Sequence, residues 1–209
     1  MIGGGVLLLL WALVVWRWED PLTAVYTWRQ QSRLSDEYDR RLAGWRPHAR
    51  VQEAAPSRRE LAREAASYRR AVHPGDAIGR IVIPRIGVSM IVVEGTDHDS
   101  LRNGPGRDPR TYMPGENRLI YIAGHRTSYL APFAHIDAIR PGDPIRFELP
   151  YATFVYQAMS HAIVPADDLS RLTSPRYELL RLQACHPRFF ASHRYLVDGR
   201  LVRVEPRPG

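Results

Sequence analysis

The residue types in this chain that are best suited to covalent chemistry are a cysteine, a histidine and an arginine. Cys185 is the only cysteine in the 209 residues, and it follows the apolar run Leu179–Ala184, which predicts a buried strand. A thiolate attacks a carbonyl carbon far better than a thiol does, so a catalytic cysteine needs a basic or cationic neighbour. His125 follows another apolar run sixty residues earlier, and Arg194 lies nine residues after the cysteine. These three residues are therefore the candidate catalytic group.

The three side chains differ in the chemistry that each can perform. His125 can accept the thiol proton as a base and later return a proton to a leaving amine as an acid. Arg194 stays protonated, so it is suited to stabilise negative charge on a tetrahedral intermediate or to position a peptide backbone. Together they predict acyl transfer through a thioester. The competing interpretation is that Cys185 is a small apolar residue of the core, and the two partners favour the reactive interpretation.

The remaining histidines are weaker candidates. His186 and His193 adjoin Cys185 and Arg194 in sequence, and adjacent side chains on a strand point to opposite faces. His161 lies within a strand pattern and is interpreted as structural. The sequence contains no His-x-x-x-His or Cys-x-x-Cys pair, so we predict neither a metal site nor a cofactor.

The N-terminal part of the chain predicts a membrane segment. Residues 2–16 carry no charge, and Trp16 and Trp18 are typical of the membrane interface. We predict an uncleaved transmembrane anchor over residues 1–18, although the apolar stretch is short for a spanning helix. A signal peptide is the first alternative, and a buried core helix is the second.

Two helices are predicted between the anchor and the rest of the chain. Asp20 and Pro21 form a helix start, and Ser57 with Glu60 forms a capping box that opens a second helix. We predict that residues 19–76 form a helical juxtamembrane stalk and linker, without catalytic chemistry of their own.

From residue 77 the pattern changes to short apolar runs separated by proline and glycine. About seven or eight strands with few helices between them predict a mainly β domain over residues 77–209, a mostly antiparallel barrel or sandwich. A loop beside the cysteine strand is predicted between Ile163 and Tyr177. The predicted strands are Ile78–Ile83, Val88–Val93, Leu119–Ala123, Ile145–Leu149, Phe154–Ala158, Leu179–Ala184 and Tyr195–Val204.

The charge distribution argues against nucleic-acid binding. The formal net charge is +7, and all 29 basic side chains are arginine. These arginines are spread along the chain, usually near acidic residues, and form no basic block interleaved with aromatic residues. An excess of positive charge is still suited to work beside an anionic membrane or cell-wall polymer.

Several motifs in the strand-rich part form a pattern of their own. They are Gly79–Pro84 with Ile86-Gly87, Val93–Thr96, Gly104–Gly106, Pro114–Asn117, Ile122–Tyr129, Pro132-Phe133, Arg140–Asp143, Cys185–Phe189 and Arg194. The Gly-His-Arg run and the segment from the cysteine to the arginine are specific in combination. Together these motifs resemble the sortase family, most closely its class E branch of actinobacteria, and the resemblance covers about residues 77 to 205.

The resemblance implies a fold and a role for individual residues. The family fold is an eight-stranded β-barrel with short helices. Cys185 corresponds to the nucleophile, His125 to the general acid, and Arg194 to the residue that stabilises the oxyanion or substrate. Tyr129 matches a family tyrosine after the histidine and, with Thr127 in the same motif, is a predicted substrate contact.

The resemblance also implies substrates, partners and a location. Sortases cut a Thr-Gly bond in a C-terminal sorting signal, which in class E is of the Leu-Ala-x-Thr-Gly kind and elsewhere of the Leu-Pro-x-Thr-Gly kind. They hold the threonyl group as a thioester and pass it to an amine of a lipid II-type cell-wall precursor. We accordingly expect a single-pass membrane protein with an extracellular catalytic domain that acts on surface proteins.

One departure from the family pattern affects the expected specificity. Ala184 stands where the family usually has threonine, directly before the cysteine, and we predict that this position influences substrate binding. The lost hydroxyl leaves open an alternative function, a catalytically weak barrel that binds peptide or cell-wall polymer.

Overall fold

The computed structural model describes residue 5 and residues 21–46, 57–129 and 131–205. In this part of the chain the dominant element is a closed β-barrel, as predicted. Its eight strands are β1 (Ala77–Ile83), β2 (Val88–Glu94), β3 (Gly106–Arg107), β4 (Leu119–Ala123), β5 (Pro144–Glu148), β6 (Thr153–Pro165), β7 (Leu179–His186) and β8 (His193–Glu205).

The barrel runs in the order β1–β2–β3–β4–β7–β8–β6–β5 and closes between β5 and β1. Most neighbouring strands are antiparallel, but β2 with β3 and β4 with β7 are parallel. The expectation of a mostly antiparallel barrel is therefore confirmed. The parallel β4–β7 pair brings together segments that are sixty residues apart in sequence.

The strand that the apolar runs did not predict is β3, which has only two residues. Its Arg107 is 1% exposed and forms a buried ion pair with Glu94 of β2, the residue that it faces in the strand register. The same guanidinium donates to the carbonyl oxygens of Asp108 and Thr111. A buried charge is tolerated only when it is paired and hydrogen-bonded, and this arrangement supplies both.

Between residues 21 and 205, the described part of the chain has three α-helices, α1 (Pro21–Gly44), α2 (Arg58–Ala71) and the single-turn α3 (His98–Leu101). It also has three short 3-10 helices at Pro84–Ile86, Ile136–Ala138 and Leu169–Leu172. The predicted capping box opens α2, because the Ser57 side chain accepts from the Glu60 amide and the Glu60 carboxylate accepts from the Ser57 amide. Further along α2, Tyr68 is fully buried and donates to the Ile78 carbonyl oxygen at 2.8 Å. The helix therefore completes the barrel core.

Helix α1 also lies against the barrel. The Gln31 side chain accepts from the Ile91 amide at 2.7 Å and donates to the Asn103 carbonyl oxygen at 2.7 Å. Tyr38 is buried and donates to the Glu148 carbonyl oxygen at 3.0 Å. Both helices of the predicted stalk segment thus have specific contacts with the strands.

The predicted anchor over residues 1–18 lies outside the described residues, apart from Gly5. Of the helices that the structure does describe, none combines the length and the apolar character needed to cross a membrane.

Candidate active site

Cys185 and Arg194 are brought together by strand register. They face each other in the antiparallel ladder between β7 and β8. Directly opposed residues have side chains on the same face, with Cβ atoms roughly 5 Å apart. The alternation along β7 places Gln183 and Cys185 at the same cavity, whereas Ala184 between them is fully buried in the barrel core.

His125 reaches the same place through the parallel β4–β7 pair. Ala123 faces Gln183 in the register, and the next backbone hydrogen bond runs from the Gly124 amide to the Gln183 carbonyl oxygen at 2.9 Å. A Cβ atom on Gly124 would lie 2.6 Å from the ring of Phe133, so only glycine allows the chain to pass this ring. The His125 carbonyl oxygen then accepts from the Phe133 amide at 3.1 Å.

Cys185, His125 and Arg194 line one open cavity of about 260 Å³. The predicted catalytic group is therefore assembled in space from the ends of β4, β7 and β8. The loop predicted beside the cysteine strand also lines the cavity, although it begins later than expected, because β6 continues to Pro165. The other apolar lining residues include Leu101, Ala123, Val164, Leu169 and Leu172, and the charged ones are Asp108, Arg110, Asp168 and Arg171.

The surroundings of His125 favour a neutral imidazole. Burial lowers its pKa below the ordinary value of 6.5, because the imidazolium would lose its hydration, and the nearby His98 lowers it further. Within the described residues, the buried Nε2 atom of His125 has no hydrogen-bond partner. The side chain is thus available to accept a proton from a reacting group.

The lowered pKa of His125 predicts a pH-dependent stability. Between pH 6.5 and the lowered pKa the unfolded chain binds more protons at this residue than the folded chain, so stability falls as the pH falls through that window. We expect the wild type to lose more of its free energy of unfolding than His125→Gln when the pH is lowered from 7.5 to 5. Urea denaturation at a series of pH values measures this difference. Above pH 7.5 the two curves should run parallel, and parallel curves throughout would contradict the prediction.

Arg194 carries a charge that is free to act on a ligand. Its Nη1 atom donates to the Ala191 carbonyl oxygen at 2.7 Å and to the His193 carbonyl oxygen at 3.1 Å, which fixes the guanidinium. In the part of the chain that the structure describes, no carboxylate lies within ion-pairing distance of it. A fixed and unneutralised cation can stabilise an oxyanion without reorganising.

Two of the predicted substrate contacts, Tyr129 and Thr127, lie in the loop after His125. The Tyr129 ring lies 5.1 Å from the His125 ring, and the Arg102 guanidinium lies 5.7 Å from the Tyr129 ring. Thr127, in the same loop, is half-buried. For these two residues, substrate binding stays a prediction.

Ala184, the third predicted substrate contact, does not line the cavity. Its side chain is 0% exposed and packs in the barrel core, so an effect of this position on substrate binding stays a prediction. The physical reason is the strand alternation, which turns this side chain away from the face that carries Cys185. Any influence of this position on specificity has to act through the packing behind the cysteine.

Two features of the site were missed by reasoning from the sequence. One is Arg126, which is 4% exposed and lies behind the cysteine strand. The other is a contact from α1, where the Tyr26 ring lies 5.7 Å from the same Arg102 guanidinium that contacts Tyr129. The Gly-His-Arg motif drew attention to the segment, but no pattern indicated that the arginine was buried or that the first helix approached the site.

Comparison with known proteins gives a consistent family. A family model described as the Sortase domain matches residues 81–202. Sortase D of Bacillus subtilis is 36% identical over 132 residues, which are 61% of this chain and 65% of that protein. Sortase SrtE1 of Streptomyces coelicolor is 27% identical over 180 residues, which are 78% of this chain and 51% of that protein. The chain thus spans between about half and two thirds of the length of these relatives.

Solved structures are similar in fold. The crystal structure of sortase E1 from Streptomyces coelicolor, with a tripeptide in its active site, has a TM-score of 0.59 and 27% identity, covering 65% of this chain and 93% of that chain. The Clostridium perfringens sortase D5 transpeptidase has a TM-score of 0.64 and 24% identity, covering 84% of this chain and 99% of that chain. The second similarity concerns the fold alone.

Proposed function

This chain belongs to the sortase family, and from that membership we propose that it is a cysteine transpeptidase acting on proteins that carry a C-terminal sorting signal. The observation that carries the proposal is the pairing of Cys185 with Arg194 across two strands, with His125 at the same cavity. A half-buried thiol, a histidine whose lowered pKa favours the neutral imidazole and an unneutralised guanidinium are the three parts that acyl transfer through a thioester needs.

The first half of the proposed reaction forms the thioester. His125 takes the proton of the Cys185 thiol, and the sulfur attacks the threonyl carbonyl carbon of the signal. Arg194 stabilises the resulting oxyanion. When the tetrahedral species collapses, the bond between threonine and glycine breaks, and the proton on His125 goes to the departing glycyl amine.

The second half transfers the acyl group. An incoming amine attacks the thioester carbonyl and loses a proton to His125, while Arg194 again stabilises the oxyanion. When the second tetrahedral species collapses, the bond between the carbonyl carbon and the Cys185 sulfur breaks, and His125 returns a proton to the thiolate. The net result is exchange of one amide bond for another, without consumption of a cofactor.

We propose a signal of the Leu-Ala-x-Thr-Gly kind, with Leu-Pro-x-Thr-Gly as the competing sequence. Similarity to sortases E of Streptomyces coelicolor supports class E, and the 36% identity to a Bacillus subtilis sortase D supports the neighbouring class. The apolar wall formed by Leu101, Val164 and Leu172 is suited to the leucine of either signal.

We propose further that the enzyme acts on surface proteins outside the cell membrane, is held there by residues 1–18, and uses an amine of a lipid II-type precursor. The uncharged stretch at residues 2–16 supports the anchor, and the net charge of +7 suits an anionic surface.

The proposed function predicts turnover of a short peptide. Full-length protein in detergent is incubated with peptides containing Leu-Ala-Glu-Thr-Gly or Leu-Pro-Glu-Thr-Gly, with and without a diaminopimelate-containing stem peptide as acceptor. We expect cleavage between threonine and glycine and a new amide with the acceptor, detected by mass spectrometry. A peptide in which alanine replaces the threonine is the matched control and should stay intact. Binding without cleavage for every signal would instead indicate the peptide-binding barrel.

A further inference from the structure

Arg126 is the residue directly after His125, and it connects the histidine segment to the cysteine strand. Its side chain is 4% exposed, although arginine is almost never buried unless it is paired. The Nη1 atom lies 3.3 Å from the Cys185 carbonyl oxygen and 2.9 Å from Nδ1 of His186, and the Nη2 atom lies 3.0 Å from the Asp137 carboxylate. One side chain thus spans three segments around the site.

Each contact of this guanidinium constrains its neighbours. Arginine only donates hydrogen bonds, so Nδ1 of His186 is the acceptor in the 2.9 Å contact with Arg126. The Tyr195 ring lies 5.5 Å from the Arg126 guanidinium and covers it from β8, the strand that also carries Arg194. Asp137 neutralises the charge from the segment after the histidine loop.

In the described residues, backbone hydrogen bonds do not join the segment after Gly124 to the cysteine strand. In the described part of the chain, the last backbone hydrogen bond between the β4 segment and β7 is the one from the Gly124 amide to Gln183. Beyond it, the His125 carbonyl oxygen bonds back within its own loop, to Phe133. The Arg126 side chain therefore connects the residue next to the base to the backbone carbonyl of the nucleophile, and Arg188 adds a longer contact of 3.5 Å to the Arg126 carbonyl oxygen.

We propose that Arg126 is a positioning residue that sets the placement of His125 relative to Cys185, acting through the Cys185 carbonyl and not on the substrate. The proposal rests on the proposed function where turnover is concerned. It predicts that loss of Arg126 uncouples the base from the thiol while the substrate cavity stays intact. Lysine cannot replace it fully, because a single ammonium group does not reach three partners in the planar arrangement of a guanidinium.

The test is a double-mutant cycle read by alkylation of the thiol. Cys185 is the only cysteine, so the rate of its reaction with iodoacetamide reports on one site. In the wild-type background we expect His125→Gln to slow this reaction by about tenfold, because the thiol loses its base. In an Arg126→Met background the same histidine substitution should change the rate by less than about twofold, because the pair is already separated.

Arg181→Met serves as the matched control. Like Arg126, Arg181 is a buried arginine with a carboxylate and a backbone carbonyl as partners. It lies on β7, pairs with Asp198 and donates to the Arg171 carbonyl oxygen. Its loss should lower the thermal stability but preserve the tenfold effect of His125→Gln. Equal uncoupling in both arginine variants would mean a general loss of structure and would overturn the proposal.

Turnover gives the second readout. We expect Arg126→Met to lower kcat for the sorting peptide by about 100-fold with KM within about threefold, since misplacement by an ångström has effects of this size. Arg126→Lys should recover part of the loss. A change confined to KM, or fully additive alkylation rates, would overturn the positioning role.

The two proposals can fail separately. If the wild type cleaves no sorting peptide, the proposed function fails, whereas the alkylation cycle still decides the role of Arg126. If Arg126→Met does not fold, as judged by circular dichroism, the cycle is run with Arg126→Lys and Asp137→Asn. Each of these should then give coupling between that of the wild type and zero, and full wild-type coupling in both would overturn the proposal.

Discussion

Cys185→Ala is expected to abolish acyl transfer, with a loss on the order of 10⁴-fold or more in kcat, because the sulfur is the atom that carries the acyl group. The substitution removes one atom from a half-buried side chain, so Tm should change by less than about 3 °C. Peptide cleavage followed by mass spectrometry, with calorimetry on the same samples, measures both quantities.

A matched control for this variant is Cys185→Ser, which keeps the size and a hydroxyl. It should also be inactive, because an unactivated hydroxyl is a much poorer nucleophile than a thiolate. Peptide affinity, measured by fluorescence anisotropy, should stay within about threefold in both variants, since the sulfur is the one atom of the cavity lining that is removed or replaced. Retained cleavage in Cys185→Ala would show that another residue is the nucleophile.

His125→Gln is expected to lower kcat/KM by about 10²- to 10⁴-fold, because glutamine has a similar size but cannot carry a proton between sulfur and amine. In the wild type, kcat/KM should fall on the acid side as His125 becomes protonated. That fall should lie below pH 6.5, because burial and His98 lower the pKa of the histidine. Initial rates between pH 4.5 and 8 measure this profile.

The matched control is His98→Gln. It removes the neighbour whose charge lowers the pKa of His125, so the acid fall should move to higher pH while the maximal rate stays within a few-fold. An acid fall that is identical in wild type and His125→Gln would contradict the assignment of His125 as the base.

Much of the barrel could be predicted from the sequence, because seven of its eight strands contain a short apolar run. The strand β4 is an example, since its five residues are all buried. The two-residue β3 could not be predicted, because two residues are too few for a periodic pattern and the strand is defined by its pairing with β2 and β4. The parallel pairing of β4 with β7 depends on the closure of the whole barrel, which no local signal contains.

The sequence indicates candidate residues for the site but not the contacts that hold them in place. The unusual combination of Cys185, His125 and Arg194 marks the chemistry, and the structure places all three at one cavity. The inward orientation of Ala184 depends on which face of β7 lies toward the core, and an apolar run that is buried on both faces does not indicate this. The burial of Arg126 could not be inferred, because arginine is usually exposed and its partners Asp137 and His186 come from separate segments.

The first helix shows the same limit. Its apolar residues recur at helical spacing, which predicts a helix but does not say what it packs against. In the structure, Gln31 and Tyr38 fasten it to the barrel, and Tyr26 approaches Arg102 beside the histidine loop. The segment interpreted as a stalk therefore has contacts that extend to the edge of the candidate site.

The central claim is that Cys185 holds the acyl group of the substrate, and trapping that intermediate tests it most directly. The protein is mixed with a Leu-Ala-Glu-Thr-Gly peptide without acceptor amine, quenched in acid within one turnover, and examined by intact-mass and peptide-mapping mass spectrometry. We predict an added mass equal to the peptide acyl group that ends in threonine, located on Cys185 and released by hydroxylamine. Consumption of the peptide without this adduct, or the same adduct on Cys185→Ala, would contradict the account.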